Sequence, residues 1–463
     1  ISMVSIGFVY FCSVIKNNYE LQNDGTMKNI LSKRTFIVLP LFLFSLHPLW
    51  GQKSNFKNDI CIPGKLYMLS DIRNDVFVEA LIKRWRPYND FVRFSGDCVY
   101  SRKLNRVASV DTPVDGSNMK IELVNSDEFE TIKEKAISIC VGKKGIGTQE
   151  VTVQILGDSF VNGAFFRDAL LSKNYIPGIK LVGLRNIKNE EGQYDEGRGG
   201  WTVKKYFEIP KGEMTSYHGY MQPVGEYRYW GSCEFWKNCY KVINGELTDT
   251  EIVYNCGRYD QCITKFDKET GYLAAPKKND LMYDNARGSY MVYTGKKWKN
   301  VEVDERKWAF NYRKYLDMWN LDAPKFFAQM LGLNDYRDSL TADYREWNKK
   351  IAEMKESYYK AVPDGKFIIL IPCTTCGSLN NIRGDFTLRQ NASMWQLRKN
   401  IIDTFDGRES EGYYVVDIGI TIDNEKGYNR NRDGIQTGNP HPYPNYPTMG
   451  IPLAAFIQYY REL

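Results

Sequence analysis

Histidine is scarce in this chain: three among 463 residues, His47, His218 and His441. Any chemistry that needs an imidazole must draw on one of these. Runs of one charge are missing as well. Lysine and arginine outnumber the acids 62 to 56, but the two signs are interspersed, which argues against a nucleic-acid partner. Long apolar runs are also lacking. The stretch 35–46 is too short for a comfortable membrane span, and no cysteine closes it to suggest a lipid anchor. The chain begins with Ile, and the first Met that suits a start is Met27. Lys28, Lys33 and Arg34, the apolar 35–46 and the small Gly51 then read as a secretory signal peptide. We therefore expect 1–52 to be upstream residues and leader. The mature protein would be secreted or periplasmic, without stable membrane insertion once the leader is cleaved. An uncleaved anchor built on 1–15 is the alternative.

What is plentiful is core material and aromatics. Hydrophobic residues make up 43%, enough for two or three domains at this length. The 32 Tyr and 10 Trp suit either sugar contacts or ordinary packing. Ten cysteines are present. Export would make Cys61, Cys98, Cys140, Cys233, Cys239, Cys256, Cys262, Cys373 and Cys376 mainly disulfide candidates. The two C-x5-C pairs, Cys233/Cys239 and Cys256/Cys262, lack the usual C-x2-C zinc spacing and have only His218 nearby. Disulfides are expected there, with the pairing open. Cys373 and Cys376 would form a local disulfide or stay as two thiols. The odd number leaves at least one thiol.

Residues 53–149 break into short strand-like runs between Gly, Asn, Asp and Pro, which predicts a small β-sandwich domain. From Val151 the pattern changes. "VTVQILGDS" predicts a strand and "NGAFFRDALLSK" an amphipathic helix. Further strands are expected at "IKLVGLRNI", "KFFAQMLGLND", "GKFIILIPC" and "GYYVVDIGI". Helices are expected over about 339–361, about 390–405 and at the C-terminus. Alternating strands and helices predict an α/β domain with a parallel sheet over 150–463. The Cys- and Tyr-rich stretch of about 206–300 shows little periodicity and reads as an insertion between βα units.

In such folds the site forms at the carboxyl ends of the strands. Those ends carry Gly157-Asp158-Ser159, the "EGRGGWT" turn with Gly199 and Gly200, Gly332-Leu333-Asn334-Asp335, and the late loop "GNPHPYPNYPTMG" with His441. Each alone has a bland reading as a cap, a turn or a loop residue. Together and in this order they resemble the four blocks of the SGNH (GDSL-type) hydrolase family, in its bacterial secreted two-domain form. The resemblance spans about 150–463 and implies a three-layer α/β/α, flavodoxin-like fold. It implies Ser159 as nucleophile and His441 as general base. The Ser159 N–H, the N–H of Gly200 (or Gly199) and the Asn334 amide would form the oxyanion hole. His218, inside the insertion, would have a surface or structural role. The family's acid, three residues before the histidine, is replaced here by Gly438. Asp433 could orient the imidazole instead, or a backbone carbonyl could leave a Ser–His dyad.

A serine needs a base to become nucleophilic, and acyl transfer needs donors where negative charge develops. No metal or organic cofactor is called for. The tyrosine-, tryptophan- and charge-rich insertion suits a sugar better than a lipid. The expected function is a secreted esterase that removes O-acyl groups, acetyl above all, from a glycan. The alternatives are a lipolytic or aryl esterase of the same family, or a glycan-binding protein that has lost activity. An ordinary imidazole would place the acid limb of activity near pH ~6.5.

Overall fold

The computed structural model describes residues 59–461 apart from 84–89, 98, 103–105, 126–128, 164, 172–173, 187–192, 213–214, 340, 375–387, 425, 430–431 and 433–440. The expected leader, Cys98, Cys376, Asp433 and Gly438 lie outside the described residues. Residues Asn58–Leu463 form one compact unit. No helix among the described residues is long and apolar enough to cross a membrane.

The first part of this unit holds two small sheets. One runs in the order Lys65–Leu69, Thr131–Gly142, Asn118–Asn125, Asp90–Gly96; the other runs Asn74–Phe77, Val107–Val110, Val99–Arg102. Alternation in "NMKIELVN" turns Met119, Ile121 and Leu123 inward. There they share a core with Val76 and Val110 of the other sheet. The first sheet also rests on the C-terminal helix Tyr446–Arg461, where the Tyr67 and Phe456 rings meet edge-on at 4.8 Å.

The second part is an α/β layer structure around a six-stranded sheet. Its spine is Glu196–Gly197, Val151–Gly157, Phe326–Met330, Lys366–Ile371 and Tyr413–Asp417, all paired in parallel. Ile179–Leu181 pairs with the first half of Val151–Gly157, and Glu196–Gly197 pairs with its last two residues. The edge strand is therefore broken in two. In chain order the strands lie second, first, third, fourth, fifth, the flavodoxin-like arrangement. "FFAQM" is buried throughout because both faces of the sheet are covered. Its neighbours Phe326 and Phe327 point opposite ways, the first toward Phe456 of the last helix and the second toward Tyr358 of the helix Arg345–Ala361. The order reverses between Val151–Gly157 and Phe326–Met330, so a crevice opens beyond their carboxyl ends.

The stretch read as an aperiodic insertion is structured and runs further than 300. Arg228–Ser232, Asp280–Asp284, Ser289–Tyr293 and Trp298–Val301 form a four-stranded sheet. Met221–Pro223 pairs with Trp308–Phe310, and the helices Cys233–Ile243 and Thr250–Cys256 pack on each other, the first also against Arg228–Ser232 and Asp280–Asp284. Its core is a nest of rings. Trp236 stacks on Phe266 at 4.0 Å, and Tyr217 lies 5.3 Å from Trp236. Rings drawn from many short elements leave no stripe on any one of them, which hides the order from periodicity.

The disulfides expected in this insertion are not formed. Cys233, Cys239, Cys256 and Cys262 are buried thiols, as are Cys61, Cys140 and Cys373. Cys239 faces Cys256, and burial foremost, with that neighbour, pushes its thiol well up. Burial likewise pushes Cys61 up to about 12. These side chains act as small apolar fillers.

Candidate active site

The strand Val151–Gly157 ends at Asp158, which caps a one-turn helix, Ser159–Asn162. The cap is local chemistry: an Asp158 carboxylate oxygen accepts from the Phe160 N–H at 3.1 Å. As the first helical residue, Ser159 has a backbone N–H with no acceptor within the helix. Its hydroxyl lies 2.8 Å from His441 Nε2. Residues 282 apart in sequence thus meet within hydrogen-bond reach. His441 packs on Phe160, ring centres 4.9 Å apart. Burial pulls its imidazole down to about 4, so the ring is neutral across the range where a base must work. Burial therefore moves the expected acid limb below the ordinary imidazole value.

Asn334 comes from the strand Phe326–Met330 through Gly332, on the short helix Leu333–Tyr336. Its amide donates to an Asp158 carboxylate oxygen at 3.3 Å and to the Trp201 carbonyl at 3.1 Å. It therefore stands between the residue before Ser159 and the residue after Gly200. Gly200 has a φ of +75°, a left-handed turn that a side chain would strain, and open space where a Cβ would sit. The turn is fixed downstream by Asp335, whose carboxylate accepts the Val203 N–H at 3.1 Å. Burial raises both carboxyls, Asp158 to about 7 and Asp335 to about 6.

Ser159, Gly200, Asn334 and His441 are thus gathered around one crevice. Asp433 lies outside the described residues. His218 lies behind the Gly200 turn, its ring edge-on to Trp201 at 5.7 Å, and is no surface residue, since it is 1% exposed. Its Nδ1 accepts from the Tyr220 N–H at 3.2 Å, so its Nε2 carries the proton and donates to the Glu208 carbonyl at 2.9 Å. Burial first, and the Arg198 charge second, pull it down to about 3.

Three residues at this crevice carried no role in the sequence reading. Asp158 and Asp335 were visible in the two motifs, and their work as cap and loop anchor follows from acidic residues at turns. Tyr254 of the insertion had no signal. Beneath the turn, the edge strand and the insertion are tied by buried charge. Arg198 pairs with Glu196 at 2.7 Å and donates to the Tyr217 carbonyl and the Tyr259 hydroxyl. Tyr315 donates to the other Glu196 oxygen at 2.5 Å, and Arg185 donates to Ser216 at 2.7 Å.

No family model and no curated relative matches the chain. Among solved structures it is similar to a carbohydrate esterase family 3 protein from Talaromyces cellulolyticus, at 12% identity and TM-score 0.30, over 68% of this chain and 99% of that one. An acetyl esterase mutant with acetate ion aligns at 12% identity and TM-score 0.29, over 67% of this chain and 99% of that one. A peptidoglycan O-acetylesterase aligns at 11% identity and TM-score 0.28, over 68% and 93%. Likeness at this level carries no argument about activity, which has to come from the site.

Proposed function

We propose that the chain is a secreted serine esterase of SGNH type that removes O-acyl groups, acetyl above all, from a glycan. The observation that carries this reading is the 2.8 Å contact between Ser159 Oγ and His441 Nε2 at the strand-order switch point. His441 takes the Ser159 proton as the hydroxyl oxygen attacks the ester carbonyl. The carbonyl oxygen becomes the oxyanion and is met by the Ser159 and Gly200 N–H groups and by an Asn334 amide proton, which the free protein spends on Asp158 or Trp201. Collapse breaks the bond to the sugar oxygen, which leaves with the proton from His441. Water, deprotonated by His441, then attacks the acyl-serine and releases the carboxylic acid with Ser159 restored.

The glycan preference draws on the Tyr- and Trp-rich insertion and on Trp201 directly after Gly200, a ring held by Tyr206, His218 and Arg198 that keeps part of its surface exposed. The role of Asp433 as the group that orients His441 remains part of the proposal. The test is acetate release from p-nitrophenyl acetate and from acetylated xylan or pectin, with Ser159→Ala as control. Turnover by the wild type alone is expected. Equal silence of both proteins across short and long esters overturns the reading. A preference for long acyl chains moves the substrate from glycan to lipid.

A further inference from the structure

We propose that Tyr254, carried by the insertion, is a positioning residue for the Gly199–Gly200 turn, so that the insertion completes the ester-cleaving assembly. The inference rests on the esterase reading above. It starts from the last residue of the nucleophile's one-turn helix, Asn162, which is 3% exposed. Its amide nitrogen donates to the Tyr254 hydroxyl. Its amide oxygen accepts from Arg258 and, at 3.1 Å, from Arg185. Arg258 also reaches the Asn162 carbonyl, and its guanidinium lies 5.0 Å from the centre of the Tyr254 ring. The helix Thr250–Cys256 and the turn after it therefore grip the end of the helix that begins with Ser159.

The same hydroxyl reaches the second oxyanion element. A Cβ built on Gly199 would overlap the Tyr254 oxygen, whereas a Cβ on Gly200 would meet nothing within 4 Å. The turn is thus backed by a phenol on its Gly199 side and open on its Gly200 side, where an ester must arrive. Two glycines have no side chains with which to hold a turn still. Asn334 and Asp335 hold it downstream, at Trp201 and Val203. Upstream the backbone closes the turn, with the Trp201 N–H donating to the Arg198 carbonyl at 3.2 Å and the Arg198 N–H to the Gly157 carbonyl at 2.8 Å, and Tyr254 adds a side-chain backstop against Gly199. A backbone N–H stabilises a developing oxyanion only if it is already in place, and a displacement of about 1 Å can cost on the order of a hundredfold.

The experiment measures kcat and KM for p-nitrophenyl acetate, with melting temperatures, for the full chain and its variants. Tyr254→Phe is expected to lower kcat about tenfold while KM stays within about twofold, the split of a contact used in the transition state alone. A tyrosine with only a structural role would lower the melting temperature and spare kcat. Gly199→Ala is expected to cost on the order of a hundredfold, and distinctly less in a Tyr254→Ala background, where its methyl group has room. The proposal is overturned if Tyr254→Phe matches the wild-type kcat, or if Gly199→Ala costs the same in both backgrounds. A wild type without Ser159-dependent turnover overturns the esterase reading and this proposal together. An active wild type matched by Tyr254→Phe overturns this proposal alone.

Discussion

Two histidines lie among the described residues, one buried in the insertion's ring nest and one half-buried at the mouth of the sheet. Both are pulled down by burial, His218 to about 3 and His441 to about 4. They differ in what their nitrogens meet. The backbone takes both nitrogens of His218, whereas Nε2 of His441 meets a hydroxyl. A depressed imidazole is therefore no mark of a base by itself. Burial produces it in both places, and the partner decides which ring can move a proton.

The comparison breaks if either histidine behaves like the other. The largest effect is expected from His441→Ala and Ser159→Ala, each lowering kcat on the order of 10⁴-fold or more, with double loss no worse than single loss. Steady-state rates of the three variants check this. Asn334→Ala should cost on the order of a hundredfold in kcat, as loss of one oxyanion donor does. His218→Phe should leave the pH profile of the folded protein unchanged. It should destabilise the fold by about 2–4 kcal/mol, because the Tyr220 N–H and the Glu208 carbonyl are left unpaired in the interior. Denaturant titration reads that cost.

The pH profile sharpens the same contrast. His441 must be neutral to act, so kcat/KM should hold on acidification until about pH 4, where the half-buried ring gains its proton. Phe160→Ala, which opens the ring to water, should move that limb up toward ~6.5. For stability, both histidines bind protons more readily when unfolded, so their contribution is present above ~6.5 and is lost as pH falls through the window down to about 4 and about 3. Asp158 and Asp335, raised to about 7 and about 6, bind protons more readily when folded and pull the other way in that window. The smallest effect is expected from Asp335→Asn, a loss of only a few-fold in kcat, since its remaining oxygen still accepts from Val203.

Much of the sheet and of the crevice was legible because the signals are local. A strand buried on both faces is a continuous apolar run, as "GKFIILIPC" is, and the reactive ends follow such runs directly. Ser159, Gly200, Asn334 and His441 could be read from those ends. What holds them could not. The amide of Asn334 finds Trp201, and Asn162 finds Tyr254, across 133 and 92 residues of chain. The insertion's core is made of rings contributed by many short elements, so no period announced its strands. The cysteines were misread through the expected compartment. The seven described thiols are buried, and there a thiol packs as a small hydrophobe.

The buried pairing of Glu196 with Arg198 bears on how the molecule comes apart. Both side chains are at most 1% exposed; Glu196 also accepts from Tyr315 and, at 2.6 Å, from the Leu184 N–H, while the further bonds of Arg198 go to Tyr217 and Tyr259 of the inserted region. If that region melted alone, Arg198 would lose its Tyr217 and Tyr259 partners in a dry setting at the sheet's edge. The insertion and the edge strand should therefore open as one cooperative unit, with their amides exchanging together rather than flap first and sheet later.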